Sequence, residues 1–274
     1  ADPQQGVVAG VRTILAESGL DPRSIGRVVH ATTLFTNALI ERKGAPTGLL
    51  VTDGFRDMLE IGRERKYDLY DIGIENPAPL VPRNMRLGVS ERMRADGRVA
   101  DPLDEAQLLR QVDVLRAGGV TSVALVFLHA YINSAHEEQA ARAFAAHAPE
   151  LFVTPSHQVV REIREYERAS TTVASAYVKP IAASYLAALA SELTGLGIAA
   201  PLLLMLSGGG LTHAAEVNRN PVQMLESGPA AGALAAAFFG ARDGVNDLLA
   251  FDMGGTTAKL SLVDGGEPLV AYGF

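Results

Sequence analysis

Residues 248–271 read LLAFDMGGTTAKLSLVDGGEPLVA: an apolar run, a glycine turn carrying one acid and two threonines, and two further strand-like runs. Leu248–Phe251 is bounded by a turn signal, Ala258–Val263 continues as a second strand, and Asp264-Gly265-Gly266 turns the chain toward a third at Pro268–Tyr272. The turn between the first two is Asp252-Met253-Gly254-Gly255-Thr256-Thr257. Glycine admits positive φ and close approach, so the N–H groups around Gly254 and Gly255 can converge on phosphate oxygens. Asp252 offers a carboxylate to Mg²⁺ or another divalent metal through its waters, and Thr256 and Thr257 offer hydroxyl donors. This is the layout of a phosphate-binding hairpin. The plainer reading is a tight turn in a chain rich in Gly and Ala.

Moving upstream, Glu226-Ser227-Gly228-Pro229 precedes an expected helix at Ala230–Gly240. The free N–H groups at Ser227 and Gly228 and the positive end of that helix suit an anion, or simply cap the helix. Ser207-Gly208-Gly209-Gly210 follows the buried strand Pro201–Leu206. Ligands in open α/β sheets sit at such carboxyl ends, although a flexible turn has the same composition. His30-Ala31-Thr32-Thr33 ends another short strand, Arg27–His30, and Thr36 and Asn37 open a helix over Thr36–Lys43 that closes at Gly44. His30, Thr32, Thr33 and Asn37 are therefore candidate catalytic residues, against the alternative of a core histidine with satisfied hydrogen bonds. His129 and His157 stand at similar places and raise a metal hypothesis that the spacing does not favour.

The rest of the chain alternates strand and helix, which is an α/β pattern. Helices are expected at Gly6–Ser18, Phe55–Ile61, Asp104–Ala117 and Ala135–His147, and strands at Thr47–Thr52, Ser122–Leu128 and Leu151–Thr154. Residues 62–101, rich in Arg, Asp, Tyr and Pro, read as a surface excursion. From Glu165 a long Ala-rich helix runs toward Leu193, and Pro180 is expected to end or kink it. Arg161, Arg164 and Arg168 interleave with Glu162, Glu165 and Glu167 at i,i+3 and i,i+4 spacing, the pattern of a solvated helix face. Arg63, Arg65, Lys66 and Tyr67 form a second mixed-charge cluster with Asp68 and Asp71.

Several functional classes drop out. The chain has 274 residues, 48% of them hydrophobic, enough for one large domain or two small ones. Twenty-four Lys and Arg against 31 Asp and Glu give a net charge of −7, and the basic residues form no stripe, which argues against nucleic acid. No run of eighteen apolar residues suggests a membrane span. Without cysteine there are no disulfides, thiol nucleophiles or Cys-based zinc sites. Neither a Walker loop nor a dinucleotide fingerprint occurs, nor a Gly-x-Ser-x-Gly elbow, nor a His-Glu-x-x-His helix. A cytoplasmic enzyme fits best. The chain opens at Ala1-Asp2-Pro3 and halts two dozen residues into a strand-rich unit, so it reads as a fragment.

Taken in order, these blocks resemble the hydantoinase A / 5-oxoprolinase family, in particular the N-methylhydantoinase-like A subunits. The resemblance rests on His30–Thr33 with Thr36–Leu39 and Glu41–Gly44, on Gly54–Asp57, Glu60–Arg63, Asp68–Asp71 and Pro79–Arg83, and on Glu162–Arg168, Glu226–Gly232 and Phe251–Thr257. It implies an actin/sugar-kinase/heat-shock-70-like (ribonuclease H-like) fold whose two domains grip ATP between two glycine hairpins. The hairpin at Asp252 is then the second of these. Residues 1–247 form one α/β domain, with the excursion near 62–101 and a helical segment near 161–197, and residues 248–274 begin the other. The resemblance also implies ATP-driven opening of a cyclic amide through phosphorylation of its carbonyl oxygen, with a hydantoinase B-like partner subunit and a homo-oligomer as possible assemblies. A subunit of an acetone or acetophenone carboxylase and a non-catalytic nucleotide-binding subunit are the alternatives. With the first hairpin missing, this chain alone is expected to be inactive. Ala258 and Lys259 stand where many relatives have a hydroxyl and an acid, and Ser207–Gly210 replaces a common Ser-Asn-Gly-Gly, which leaves substrate choice open.

Overall fold

The structure is a computed structural model that describes residues 3–63, 70–75, 77–254 and 257–269. In chain order its elements begin with α1 (Pro3–Ser18), β1 (Val28–His30), α2 (Leu34–Ile40), β2 (Thr47–Thr52), α3 (Met58–Ile61), β3 (Arg86–Val89), β4 (Arg92–Met93) and β5 (Val99–Asp101). They continue with α4 (Glu105–Ala117), β6 (Ser122–Val126), α5 (Ala135–His147), β7 (Phe152–Pro155), α6 (Ser156–Val159) and α7 (Glu165–Gly195). The last are β8 (Leu202–Met205), β9 (Leu211–His213), α8 (Ala214–Arg219), α9 (Ser227–Arg242), β10 (Leu248–Met253), β11 (Ala258–Asp264) and β12 (Glu267–Pro268). Contacts divide the chain into two compact units, Arg42–Ile181 and Ala1–Glu41 with Ala182–Phe274. The expected boundary between residues 247 and 248 falls inside the second of these.

In the unit Arg42–Ile181, four parallel strands lie in the order β3-β2-β6-β7. The central strands are buried along their whole length, which is why they read as unbroken apolar runs. Their side chains alternate between two cores. Leu50, Val123 and Leu125 meet Leu108, Val112, Leu115 and Phe144 of α4 and α5. Leu49, Val51, Ala124 and Val126 meet Val173 and Ala176 of α7. Asp104 starts α4 by accepting the Gln107 N–H at 2.8 Å.

Two expectations for this unit need correction, and of the two outcomes expected at Pro180 the ending of the helix is excluded. The excursion contains β3, an edge strand of the main sheet, and the antiparallel pair β4–β5. Arg86 opens β3 with its side chain buried, donating to the Val81 carbonyl at 2.9 Å and to Glu60 at 3.0 Å. α7 does not stop at Pro180. Proline removes the N–H that would bond the carbonyl four residues back, Ala176, and the Ser122 hydroxyl donates to that carbonyl at 2.7 Å instead. Nor do Arg161–Arg168 form a solvated face, because α7 begins only at Glu165 and Arg168 is fully buried. By length and composition α7 could cross a membrane, yet half of its most apolar stretch is buried within the protein, as in a core helix.

Arg168 belongs to a buried polar network at the carboxyl ends of the strands. Its Nη1 donates to the Phe127 carbonyl at 2.7 Å and to Ser156 Oγ at 2.9 Å. Glu137 accepts from the Phe127 N–H, the Ser156 hydroxyl, the His157 N–H and the His157 ring. Beside it, Glu91 takes the Thr52 hydroxyl and the His136 ring.

Candidate functional site

Every residue singled out for catalysis or phosphate binding lies in the unit Ala1–Glu41 with Ala182–Phe274. Its sheet β1-β8-β9 sets the geometry. β1 and β8 run parallel with His30 opposite Leu204, so the loop after His30 and the turn after Met205 leave the same edge. β9 returns antiparallel. The Ser207–Gly210 turn is closed by the Leu206 N–H to the Gly210 carbonyl at 2.8 Å and the Gly209 N–H to the Leu206 carbonyl at 3.0 Å. Gly209 sits at φ +81°, a conformation that favours glycine.

His30 Nε2 shares a 2.8 Å hydrogen bond with Tyr185 Oη, and the Tyr185 ring meets Phe35 edge-on. Burial pushes the His30 pKa below the ordinary histidine value, so the ring is neutral near pH 7. Burial also raises Tyr185, against a smaller opposing effect of its hydrogen bond with Thr32. Thr32 Oγ1 accepts the Leu34 N–H at 3.1 Å, and Asn37 Nδ2 reaches Thr33 Oγ1 at 3.5 Å.

The start of α9 is stitched to this loop. Ser227, fully buried, accepts the Thr32 N–H at 3.4 Å and donates to the Thr32 carbonyl at 3.1 Å. The helix starts at Ser227 rather than Ala230, and Glu226 before it adopts the left-handed conformation, φ 66° and ψ 13°. Its N–H donates to Thr36 Oγ1 at 3.1 Å. A Cβ on Gly228 would come within 2.7 Å of Thr33 Cγ2, so glycine is required for this close approach.

The hairpin pairs β10 with β11 from Leu248 opposite Val263 to Met253 opposite Ala258, and the Gly254 N–H donates to the Thr257 carbonyl at 3.0 Å. Gly255 and Thr256 lie outside the described residues, as do residues 270–272 of the expected third strand. Asp252 is exposed and stands opposite Lys259, whose ammonium pairs with the Glu226 carboxylate. His30, Thr32, Thr33, Asn37, Ser227 and Gly228 thus come together at one edge. Ser207, Gly208 and Gly209 sit at the end of the adjoining strand, and Asp252, Gly254 and Thr257 lie on a hairpin linked to the cluster through Lys259. A cavity of about 420 Å³ lies among Ser207–Gly209, Glu226, Pro229 and β11, within the usual range for small-molecule sites.

Among the described residues no three His, Asp or Glu side chains gather as a metal site. His129 Nδ1 faces Tyr131 Oη, and His157 is taken by Glu137. One exposed carboxylate, Asp252, nevertheless suits Mg²⁺, which keeps several waters and shares its coordination with substrate phosphates. In the other unit, Arg63 and Glu167 pair at 2.7 Å beside a cavity of about 520 Å³ that Phe55, Met58, Arg164 and Tyr166 also line. Residues 65–68 of the mixed-charge cluster lie outside the described residues. Tyr185, Thr36, Glu226 and Lys259 were not picked out as site residues. Tyr185 is 155 positions from His30, beyond any spacing rule, whereas Lys259 is a cation on the strand position facing Asp252 and was legible as such.

The model of the hydantoinase/oxoprolinase N-terminal region matches residues 1–148, and that of hydantoinase/oxoprolinase matches residues 168–273. The chain belongs to the hydantoinase/oxoprolinase family. Its fold is the actin-like ATPase-type fold of that family. The caprolactamase subunit alpha of Pseudomonas jessenii is 36% identical over 87% of this chain and 35% of its own length. The acetophenone carboxylase gamma subunit of Aromatoleum aromaticum is 31% identical over 93% of this chain and 36% of its own. The crystal structure of the ATP-dependent caprolactamase from Pseudomonas jessenii superposes with a TM-score of 0.79 at 34% identity, covering 93% of this chain and 38% of that one. Nucleotide-free acetone carboxylase gives 0.84 at 24% identity over 96% of this chain and 39% of that one, a likeness of fold. The chain therefore spans little more than a third of the length of these proteins.

Proposed function

We propose that the protein containing this chain is a cytoplasmic, ATP-dependent hydrolase that opens a small cyclic amide of the hydantoin, N-methylhydantoin or 5-oxoproline type. The observation that carries the reading is the 36% identity to a caprolactamase subunit across 87% of the chain. ATP would supply a phosphoryl group to the ring carbonyl oxygen, making the carbon open to water where resonance otherwise protects the amide; the ring C–N bond then breaks with the nitrogen taking a proton, and the acyl phosphate left behind is hydrolysed to carboxylate and phosphate. The glycine turn, in which the Gly254 N–H closes onto the Thr257 carbonyl, presents the Gly255 N–H and the hydroxyls of Thr256 and Thr257 to phosphate oxygens, and Asp252 holds the divalent cation. Ser207, Gly208 and Gly209 flank the phosphates from the neighbouring strand end, with Ser227 and Gly228 at the helix start. His30, neutral and hydrogen-bonded to Tyr185, moves a proton at the substrate in this reading, and Thr32, Thr33 and Asn37 orient it. Residues 1–247 belong to the first actin-like domain and 248–274 begin the second. A hydantoinase B-like subunit and a second copy of the chain are the partners.

A ketone carboxylase is the second reading, favoured by the 31% identity to an acetophenone carboxylase subunit over 93% of the chain. One experiment separates the two. In the full-length protein with its partner subunit, ATP hydrolysis is measured with hydantoin, 5-oxoproline and caprolactam, and then with acetone or acetophenone plus bicarbonate. Stimulation by a cyclic amide supports the hydrolase, and stimulation only by ketone with bicarbonate replaces it with the carboxylase. Asp252→Ala abolishes turnover in either case, and unchanged turnover in that variant would sink the phosphate assignment.

A further inference from the structure

We propose that Lys259 is a phosphate ligand that Glu226 holds in reserve, so that nucleotide binding transfers the ammonium from the Glu226 carboxylate to a phosphoryl oxygen. The inference rests on the ATP reading above and assigns a residue that the reading does not use. In the antiparallel register Lys259 stands opposite Asp252, and cross-strand partners project from the same face of a hairpin. One residue, Ala258, separates Lys259 from Thr257 at the glycine turn, and its side chain is only 18% exposed. Its stem is flexible and its charge compact, so it can be re-aimed without moving the strand.

Glu226 is the less adaptable partner. Its backbone is fixed in the left-handed conformation and anchored through its N–H to Thr36. Its carboxylate reaches from that anchored backbone to the Lys259 ammonium, and the residue lines the cavity. Two carboxylates lie near Lys259, Glu226 in contact with its ammonium and Asp252 at the cross-strand position. A triphosphate with its cation can use Asp252 through the metal, but Glu226 repels it and competes for the one nearby side-chain cation of the hairpin. The pair thus sets the affinity of the site: Lys259 draws phosphate in and Glu226 opposes it.

An ion pair that only fastens the hairpin to α9 predicts that losing either member does the same thing. A competing pair predicts opposite signs. The test uses the full-length protein, calorimetric titration with a non-hydrolysable ATP analogue and Mg²⁺, and thermal midpoints without nucleotide. Lys259→Met is expected to weaken the analogue by about tenfold or more, as for a lost charged hydrogen bond. Lys259→Arg, which keeps the charge, loses less. Glu226→Gln, which keeps the size and frees the ammonium, binds the analogue more tightly. Loss of affinity in both Lys259→Met and Glu226→Gln, or lowered midpoints with unchanged affinity, would overturn the proposal. Absence of binding by the unmodified protein would instead remove the ATP reading and this inference with it.

Discussion

Ser122→Ala tests how α7 survives its proline. Ser122 is completely buried, and its hydroxyl donates at 2.7 Å to the Ala176 carbonyl, whose ordinary helical donor is missing at Pro180. Deleting the hydroxyl leaves that carbonyl orphaned in the core, at a cost of about 1–3 kcal/mol. The volume lost is a single oxygen, so little of the cost comes from a cavity. If this account is right, restoring an N–H with Pro180→Ala should rescue the loss, and Ser122→Ala in that background should cost only a few tenths of a kcal/mol, roughly the penalty of a non-critical site. Urea unfolding followed by far-UV circular dichroism is the suitable assay, since the chain has no tryptophan. A double-mutant cycle should give a coupling of about 1–2 kcal/mol. Two substitutions that simply add, within about 0.5 kcal/mol, would refute the reasoning.

Two further outcomes are expected. Gly228→Ala puts a Cβ 2.7 Å from Thr33 Cγ2; overpacking of this kind costs about 1–3 kcal/mol, so the variant should unfold at lower urea than the unmodified protein, and an unchanged midpoint would show that the loop yields freely. His30 contributes a pH dependence of known sign. Its folded pKa lies below the ordinary value of 6.5 because burial disfavours the charged ring, so the unfolded chain takes up its proton first as the solution is acidified. The contribution is complete above 6.5 and is lost as pH falls from there toward the folded value. Stability relative to His30→Gln, measured near neutrality and again about one unit below 6.5, should shrink on acidification; a constant or growing difference contradicts the assignment.

The elements that could be read from residues alone were those whose local pattern and burial agree. β2 and β6 are apolar because both faces are covered, and α5 spans the range its periodicity predicts. β3 escaped because its first residue is an arginine, and only Glu60 and the Val81 carbonyl, supplied by the fold, make that charge tolerable inside. The continuity of α7 escaped for a similar reason, since the donor that replaces the proline N–H comes from a strand 54 positions away. Within the site, the strand ends and glycine turns were legible as chemistry-bearing loops. Their joining was not, because Thr32 meets Ser227 across 195 positions and no spacing encodes that. The left-handed Glu226 was hidden as well, for a glutamate gives no local signal of positive φ.

The network around Glu137 bears on how the unit Arg42–Ile181 reaches its folded state. Its donors come from the end of β6 and the start of α6, Arg168 in the first turn of α7 adds an ion pair at 3.9 Å, and the carboxylate itself rides on α5. An intermediate that has closed around Glu137 without the segment bearing His157 and Arg168 carries an uncompensated charge in an apolar interior, a penalty of several kcal/mol. Partly assembled forms are thereby penalised, and the last segment to dock brings the hydrogen-bond donors and the Arg168 guanidinium to a carboxylate already committed to the core. The side chains of Glu137, Ser156, His157 and Arg168 that close this end of the sheet therefore act as a check on completeness, making the transition between open chain and finished unit steeper than its apolar contacts alone would make it.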